Sequence, residues 1–133
     1  MEKKGRKSIL AIDDNVTQLK IFEKLLKSVY ELALVKSASE ALGLLQNRSF
    51  DLILLDIEMP DVSGFEFLHE IRKIPEYMTK PVVIVTSHSE PDFLAHAKKS
   101  SASGVLTKPV DSEQLHKTIE LAFSTPVAAP FNL

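Results

Sequence analysis

Five short apolar runs, separated by longer stretches with helical spacing, constrain the fold of this chain more than any other feature. The runs predict strands at residues 8–12, 31–35, 51–55, 81–85 and 103–106. The first, third and fourth are apolar almost without interruption, which is typical of strands covered by helices on both sheet faces. Strands that alternate with helices favour repeated βα units around a parallel sheet. The sequence therefore predicts an α/β fold, a doubly wound five-stranded parallel sheet with helices on both faces.

The stretches between the runs predict helices, for example at residues 15–27, 37–46 and 112–123. We interpret Ser39 and Ser112 as N-caps and Pro91 as a first-turn proline that opens the fourth helix. Gly104 is expected to end that fourth helical region. The first helix carries a wide apolar arc that is either core or a docking surface, formed by Leu19, Ile21, Phe22, Leu25 and Leu26.

Size and composition exclude several classes of protein. The 133 residues suit one domain, predicted at residues 8–123, after a basic leader at 1–7 and before a Pro/Ala-rich tail or linker at 124–133. The net charge of −2 offers no global field for nucleic acid or an anionic membrane, and no apolar stretch approaches the ~20 residues of a spanning helix. Without cysteines there is no thiolate chemistry. We expect a cytoplasmic protein with no direct nucleic-acid or membrane partner.

Polar residues follow the central strands at the carboxyl edge of the predicted sheet, where ligands bind in open α/β folds. These residues are Asp13 and Asp14 after the first strand, Asp56 after the third, Thr86 after the fourth and Lys108 after the fifth. Each one alone is an ordinary cap or loop residue. Together, three carboxylates, a hydroxyl and an ammonium on one rim would be costly with nothing bound. The pattern therefore predicts a site for a cation and an anion.

This combination, with Met-Pro-Asp-Val-Ser-Gly at residues 59–64 and Lys108-Pro109, resembles the signature of response-regulator receiver domains, the chemotaxis-regulator-like modules of two-component signalling. The resemblance covers roughly residues 8–123. It implies a flavodoxin-like fold with strand order 2-1-3-4-5 and a cis Lys108–Pro109 bond. It also implies that a sensor histidine kinase or a histidine phosphotransfer protein donates a phosphoryl group to Asp56. The chain would then be a signalling phosphoacceptor and not an enzyme.

The chemistry of the residues agrees with that role. Mg²⁺ prefers a few carboxylates together with waters and phosphate oxygens. The predicted metal ligands are Asp13, Asp14, Asp56 and the backbone carbonyl of Glu58. Asp56 is the expected nucleophile, while Thr86 and Lys108 hold the equatorial oxygens of the incoming phosphoryl group.

Three further positions are possible modulators of the site. Glu58 and His88 lie two residues beyond Asp56 and Thr86, where their side chains either gate the attacking water or are inert surface residues. Val105 stands where the family often carries a Tyr or Phe that turns as a rotameric switch. Because a short β-branched side chain is stiff at χ1, we expect another readout, in residues 87–95.

Other functions fit the sequence less well. An Asp-nucleophile, Mg²⁺-dependent phosphatase or phosphotransferase of the dehalogenase-like kind needs Asp-x-Asp after the first strand, whereas Asp13 and Asp14 are adjacent. A dinucleotide-binding module needs a glycine-rich loop at the same place, and the turn here is Asp-Asp-Asn. An adaptor with a degenerate site is disfavoured because competent residues occupy every functional position, and it would bind no metal.

Overall fold

The computed structural model describes residues 5–125, so most of the predicted leader and tail lies outside the described residues. The strands are β1 Ser8–Ile12, β2 Glu31–Val35, β3 Leu52–Asp56, β4 Val82–Thr86 and β5 Gly104–Thr107. The helices are α1 Val16–Leu26, α2 Ala38–Leu45, α3 Gly64–Ile71, α4 Pro91–Lys99 and α5 Ser112–Ser124, with a 3₁₀ turn at Pro75–Tyr77. All strand pairs are parallel and their order is β2-β1-β3-β4-β5, which confirms the predicted topology.

Each face of the sheet carries its own core. In β1, Ile9 and Ala11 pack with α1 and α5, whereas Leu10 and Ile12 pack with α2 and α3. Successive side chains of a strand point to opposite faces, so a strand covered on both sides needs apolar residues at every position. This requirement explains the uninterrupted apolar runs of the sequence.

The predicted bounds are correct for β1 and β2 and one residue too early for β3, β4 and β5. In β3 and β4 the strand continues through the first polar residue after the apolar run. Asp56 and Thr86 are therefore the last residues of their strands, and both are buried. Strand pairing rather than loop geometry fixes the backbone of these two site residues.

Both predicted serine caps are wrong. Ser37, not Ser39, caps α2, and Asp111, not Ser112, caps α5, because each of these two side chains accepts a hydrogen bond from a backbone N–H of the first helical turn. Ser39 already lies inside the helix, and its amide donates to the carboxylate of Asp61 at 2.9 Å.

The fourth helix begins as predicted and ends earlier than predicted. Pro91 occupies its first turn, which confirms the assignment. Gly104 does not end it, because α4 stops at Lys99 with Ser100 as C-cap, and Gly104 begins β5.

The apolar arc of α1 is mostly core. Leu19, Phe22 and Leu26 are buried, Leu25 is half-buried, and Ile21 is 39% exposed. The arc thus offers little surface for docking. Among residues 5–125, no helix has the length and apolar character needed to cross a membrane.

Candidate functional site

Three carboxylates meet at the carboxyl edge of the sheet. One oxygen from each of Asp13, Asp14 and Asp56 lies within 4.8 Å of the others. Because β1 and β3 are adjacent and parallel, their ends reach the same edge, and the predicted convergence is confirmed. Asp13 and Asp56 are buried, and Asp14 is exposed. This donor set could hold a hard metal ion.

Lys108 reaches the same acids from the end of β5. Its Nζ lies 2.8 Å from Asp13 Oδ2 and 3.7 Å from Asp56 Oδ1. Asp13 Oδ2 is buried without a hydrogen bond of good geometry, so its contact with Lys108 is an ion pair only. The Lys108–Pro109 bond is cis, as expected. One ammonium therefore faces more than one carboxylate, and negative charge is in excess.

The pKa of Asp56 is raised, chiefly by burial. Burial, followed by the neighbouring charge of Asp13, raises the pKa of Asp56 to about 6, and the positive charge of Lys108 offsets the rise only in part. A carboxyl group with such a pKa is costly to keep ionised at neutral pH. A bound cation would lower that cost.

Thr86 ends β4 beside this cluster and is fully buried. Its hydroxyl oxygen accepts the backbone N–H of His88 at 3.1 Å, and its carbonyl accepts the N–H of Lys108 at 2.7 Å. The hydroxyl still carries its own proton, which can be donated to an anion.

The loop from residue 57 to residue 63 folds back on the end of β3. The N–H of Gly64 donates to the carbonyl of Ile57 at 2.8 Å, and a Cβ at position 64 would lie 2.5 Å from the carbonyl oxygen of Asp56. Ser63 and Glu66 then start α3 with a capping box. Glycine is thus required for the close approach that keeps this loop against the site.

Two of the modulator positions, Glu58 and His88, meet across the mouth of the site. His88 Nε2 lies 2.8 Å from Glu58 Oε2, and His88 Nδ1 lies 3.2 Å from Glu90 Oε1. The hydrogen bond to Glu58 is the main cause that raises the pKa of His88. Glu58 and His88 also line one surface cavity together with Asp14. Sequence reasoning singled out both positions but did not predict their contact, because no local pattern links residues 30 apart.

Sequence reasoning missed the aromatic residues next to the site. Val105 is half-buried in a small cluster with Ile84 and Ala97, and the aromatic rings of this cluster come from Phe65 of α3 and Phe93 of α4. The available signal was the spacing of Phe93 and Ala97, which places both on one face of α4.

Comparisons with known proteins agree with this architecture. The model of the family described as response regulator receiver domain matches residues 9–120. The transcriptional regulatory protein ZraR of Salmonella typhimurium is 33% identical over 122 residues, which are 91% of this chain and 27% of that protein. The signal transduction histidine-protein kinase BarA of Escherichia coli is 33% identical over 119 residues, 89% of this chain and 13% of that protein. The chain thus spans less than a third of the length of either relative.

Solved structures extend the likeness to three dimensions. The chemotaxis response regulator CheY4 of Vibrio cholerae superimposes with a TM-score of 0.82 at 30% identity, covering 88% of this chain and 98% of that one. A CheY-like receiver domain protein from Methanospirillum hungatei gives 0.79 at 27% identity, covering 90% and 95%. With the flavodoxin-like strand order, the acidic edge and a family match over most of its length, this chain belongs to the response regulator receiver domains of two-component signalling.

Proposed function

We propose that this chain is the phosphoacceptor of a two-component phosphorelay and takes a phosphoryl group onto Asp56 in a Mg²⁺-dependent reaction. The observation that carries the proposal is the buried Asp56, which shares its pocket with two further carboxylates and one ammonium. Such a pocket gains most from binding a divalent cation together with a phosphoryl group. The histidine kinase among the relatives supports phosphohistidine as the donor.

The residues at the edge fit Mg²⁺. Carboxylate oxygens of Asp13, Asp14 and Asp56 lie close together, and the buried Asp13 Oδ2 has the ion pair with Lys108 but no hydrogen bond. These three residues and the backbone carbonyl of Glu58 would hold the ion. When bound, it neutralises charge on the acids and on the phosphoryl oxygens.

The chain's own groups do the remaining chemistry. A carboxylate oxygen of Asp56 attacks phosphorus in line, and the bond from phosphorus to the donor's imidazole nitrogen breaks as the acyl phosphate forms. The ammonium of Lys108 and the hydroxyl of Thr86 donate to the phosphoryl oxygens and stabilise the charge that develops there. Water later attacks the same phosphorus and regenerates the carboxylate, so the chain assists its own phosphorylation and dephosphorylation.

The partners follow from this chemistry. A sensor histidine kinase or a histidine phosphotransfer protein supplies the phosphoryl group in the cytoplasm, and the loaded state changes the binding of an output partner. Neither nucleic acid nor membrane contacts the chain directly in this proposal. Glu58 and His88 are the proposed gate for the attacking water.

Intact-mass measurement tests the nucleophile. The protein is incubated with Mg²⁺ and a small phosphodonor such as acetyl phosphate, and we expect one base-labile phosphoryl group per chain. Asp56→Asn should take none, whereas the control Asp92→Asn, an exposed change on α4, should load normally. An Asp56→Asn protein that still accepts an acid-stable, base-labile phosphoryl group contradicts the proposal.

Two variants separate metal binding from coupling. Asp13→Ala should lose Mg²⁺ binding while it keeps the fold. Lys108→Ala should still bind Mg²⁺ but should not couple phosphate to a conformational change, because it removes the group that ties β5 to the phosphoryl oxygens. Repeated turnover of external phosphate esters by the wild type would instead favour the phosphatase or phosphotransferase alternative.

A further inference from the structure

An aromatic residue of α4 supports the histidine at the mouth of the site. The ring centroids of His88 and Phe93 lie 4.8 Å apart, with 32° between the planes. Phe93 lies 5.8 Å from Phe65, and Phe65 meets the edge of His96 at 4.6 Å. We call these four rings the ring stack. It runs from the mouth of the site along the contact between α3 and α4.

Within this stack, His88 has four contacts. Its backbone N–H donates to the Thr86 hydroxyl, its two ring nitrogens meet Glu58 and Glu90, and its ring packs at a tilt against Phe93. The Glu58–His88 bridge is partly exposed, with 35% of the His88 and 63% of the Glu58 side chain accessible. An exposed ion pair alone contributes little, because ordering two side chains offsets most of the attraction. The Nδ1 contact with Glu90, whose side chain is 64% exposed, is of the same kind. The contact with Phe93 is the apolar one among these, and it adds packing to the two exposed carboxylate contacts.

The first turn of α4 takes part in the same contact. No side chain caps the helix at Glu90, so its start is not anchored by a capping hydrogen bond. Phe93 lies in this turn, half-buried against Ile84 and Ala97. The N–H bond links Thr86 to His88, and the ring of His88 contacts Phe93.

Resting on the proposed function, we propose that Phe93 is a positioning residue that holds the His88 ring in its bridge to Glu58. By closing the bridge, Phe93 limits the access of water to a phosphoryl group on Asp56 and lengthens the lifetime of the acyl phosphate. The bridge spans the residues that follow β3 and β4, the strands that end in Asp56 and Thr86. Glu58 and His88 line the same surface cavity as Asp14.

The test compares the lifetime of the acyl phosphate in substituted proteins. Phe93→Leu keeps an apolar side chain but removes the ring, and Phe93→Tyr restores a ring. After loading with acetyl phosphate and Mg²⁺, the donor is removed and the loss of the phosphoryl group is followed by intact mass. We expect Phe93→Leu to shorten the lifetime by about two- to tenfold, which corresponds to the interaction free energy of one aromatic pair. Phe93→Tyr should restore the lifetime.

Two further variants show that the effect passes through the bridge. Glu58→Gln combined with Phe93→Leu should decay no faster than Glu58→Gln alone. Phe65→Leu is the comparison variant: its ring lies 5.8 Å from Phe93 and lines the same cavity, so it should shorten the lifetime less than Phe93→Leu does. The imidazole signals of His88 should move towards those of a solvent-exposed histidine in Phe93→Leu and return in Phe93→Tyr.

An unchanged or longer lifetime in Phe93→Leu, with displaced His88 signals, would overturn the proposal. So would equal effects of Phe93→Leu and Phe65→Leu, since general loosening of α4 would then explain both. If the wild type takes up no phosphoryl group, the proposed function fails. The His88 signals of the unphosphorylated proteins would still show whether Phe93 positions the ring.

Discussion

Charged side chains are buried at both ends of the strands, at the amino ends (the amino edge) and at the carboxyl ends (the carboxyl edge). The two sets differ in their hydrogen-bond partners. At the amino edge, Arg72 is 3% exposed at the end of α3 and donates to carbonyl oxygens of Tyr77, Lys80 and Ser101 and to the Ser101 hydroxyl, over 2.6–3.1 Å. At the carboxyl edge, the buried carboxylates of Asp13 and Asp56 share one ammonium. The guanidinium makes four hydrogen bonds within the fold, whereas Asp13 Oδ2 has the ammonium of Lys108 as its partner and no hydrogen bond.

Burial shifts both groups towards their neutral forms, with different consequences. It lowers the pKa of Arg72 to about 10, so the guanidinium stays charged at neutral pH. It raises the pKa of Asp56 to about 6, close to the pH of a cell. The amino edge therefore stabilises the fold, whereas the carboxyl edge holds carboxylates at a cost in stability that the proposed cation would offset.

Removing Arg72 should have the largest effect. Arg72→Ala leaves buried carbonyl oxygens of Tyr77, Lys80 and Ser101 without a donor, and we expect the free energy of unfolding to fall by about 3–5 kcal/mol. Urea denaturation measures the change. The neighbouring Lys73→Ala, which removes an exposed ion pair with Glu70, should cost less than about 1 kcal/mol. Equal losses of unfolding free energy in the two variants would show that the hydrogen bonds of Arg72 do not stabilise the fold.

Gly64 tests how tightly the backbone is packed at the carboxyl edge. A Cβ at this position would lie 2.5 Å from the carbonyl oxygen of Asp56 and 2.8 Å from Ile57. Gly64→Ala should therefore lower the free energy of unfolding by about 3 kcal/mol. The matched control is Gly43→Ala in α2, where a Cβ meets nothing within 4 Å and should stabilise the helix by about 0.5–1 kcal/mol. Equal thermal shifts for the two alanines would contradict the close packing.

Asp56→Asn should stabilise the protein without Mg²⁺ at neutral pH, by about 2 kcal/mol. The pKa of Asp56 is higher in the folded state, about 6, than its ordinary value of 3.8, so the folded wild type binds a proton first as the pH falls. The wild type thus regains stability between pH 6 and about pH 4, and the advantage of Asn should shrink over that range. Denaturation at a series of pH values checks this. An advantage that grows towards low pH would contradict the raised pKa.

Some of this comparison could be predicted from the sequence and some could not. Asp13, Asp56 and Lys108 follow apolar runs, and parallel strands bring their ends to one edge, so the acidic site could be located from the pattern of apolar runs. Arg72 gave no such signal, because its partners are backbone carbonyls, which every residue carries. A buried guanidinium bonded to backbone looks like any surface arginine in sequence.

The cap predictions were wrong and the ring stack was not predicted, for related reasons. Ser37 and Ser39 are both acceptable caps by type, and a shift of two residues in the start of α2 decides between them. His88 and Phe65 are 23 positions apart in the chain and belong to one stack only because α3 and α4 pack side by side. Such contacts follow from tertiary packing and not from periodicity.

The smallest expected effect concerns how the two edges respond when Asp56 is loaded. With Mg²⁺ and beryllofluoride, a tetrahedral substitute for the phosphoryl group, the Thr86 hydroxyl should move towards the ligand, and its bond to the N–H of His88 carries the movement into residues 87–95. Val105 is too short and stiff to sweep through a rotameric arc. At the amino edge, Arg72 holds Ser101 through two hydrogen bonds, so amides there should hardly shift. Amide chemical shifts with and without beryllofluoride measure both edges at once. If the largest changes outside the acidic pocket fell on Val105 and α5, with residues 87–95 silent, the movement would be passing through β5, and the contact between His88 and α4 would not be its route.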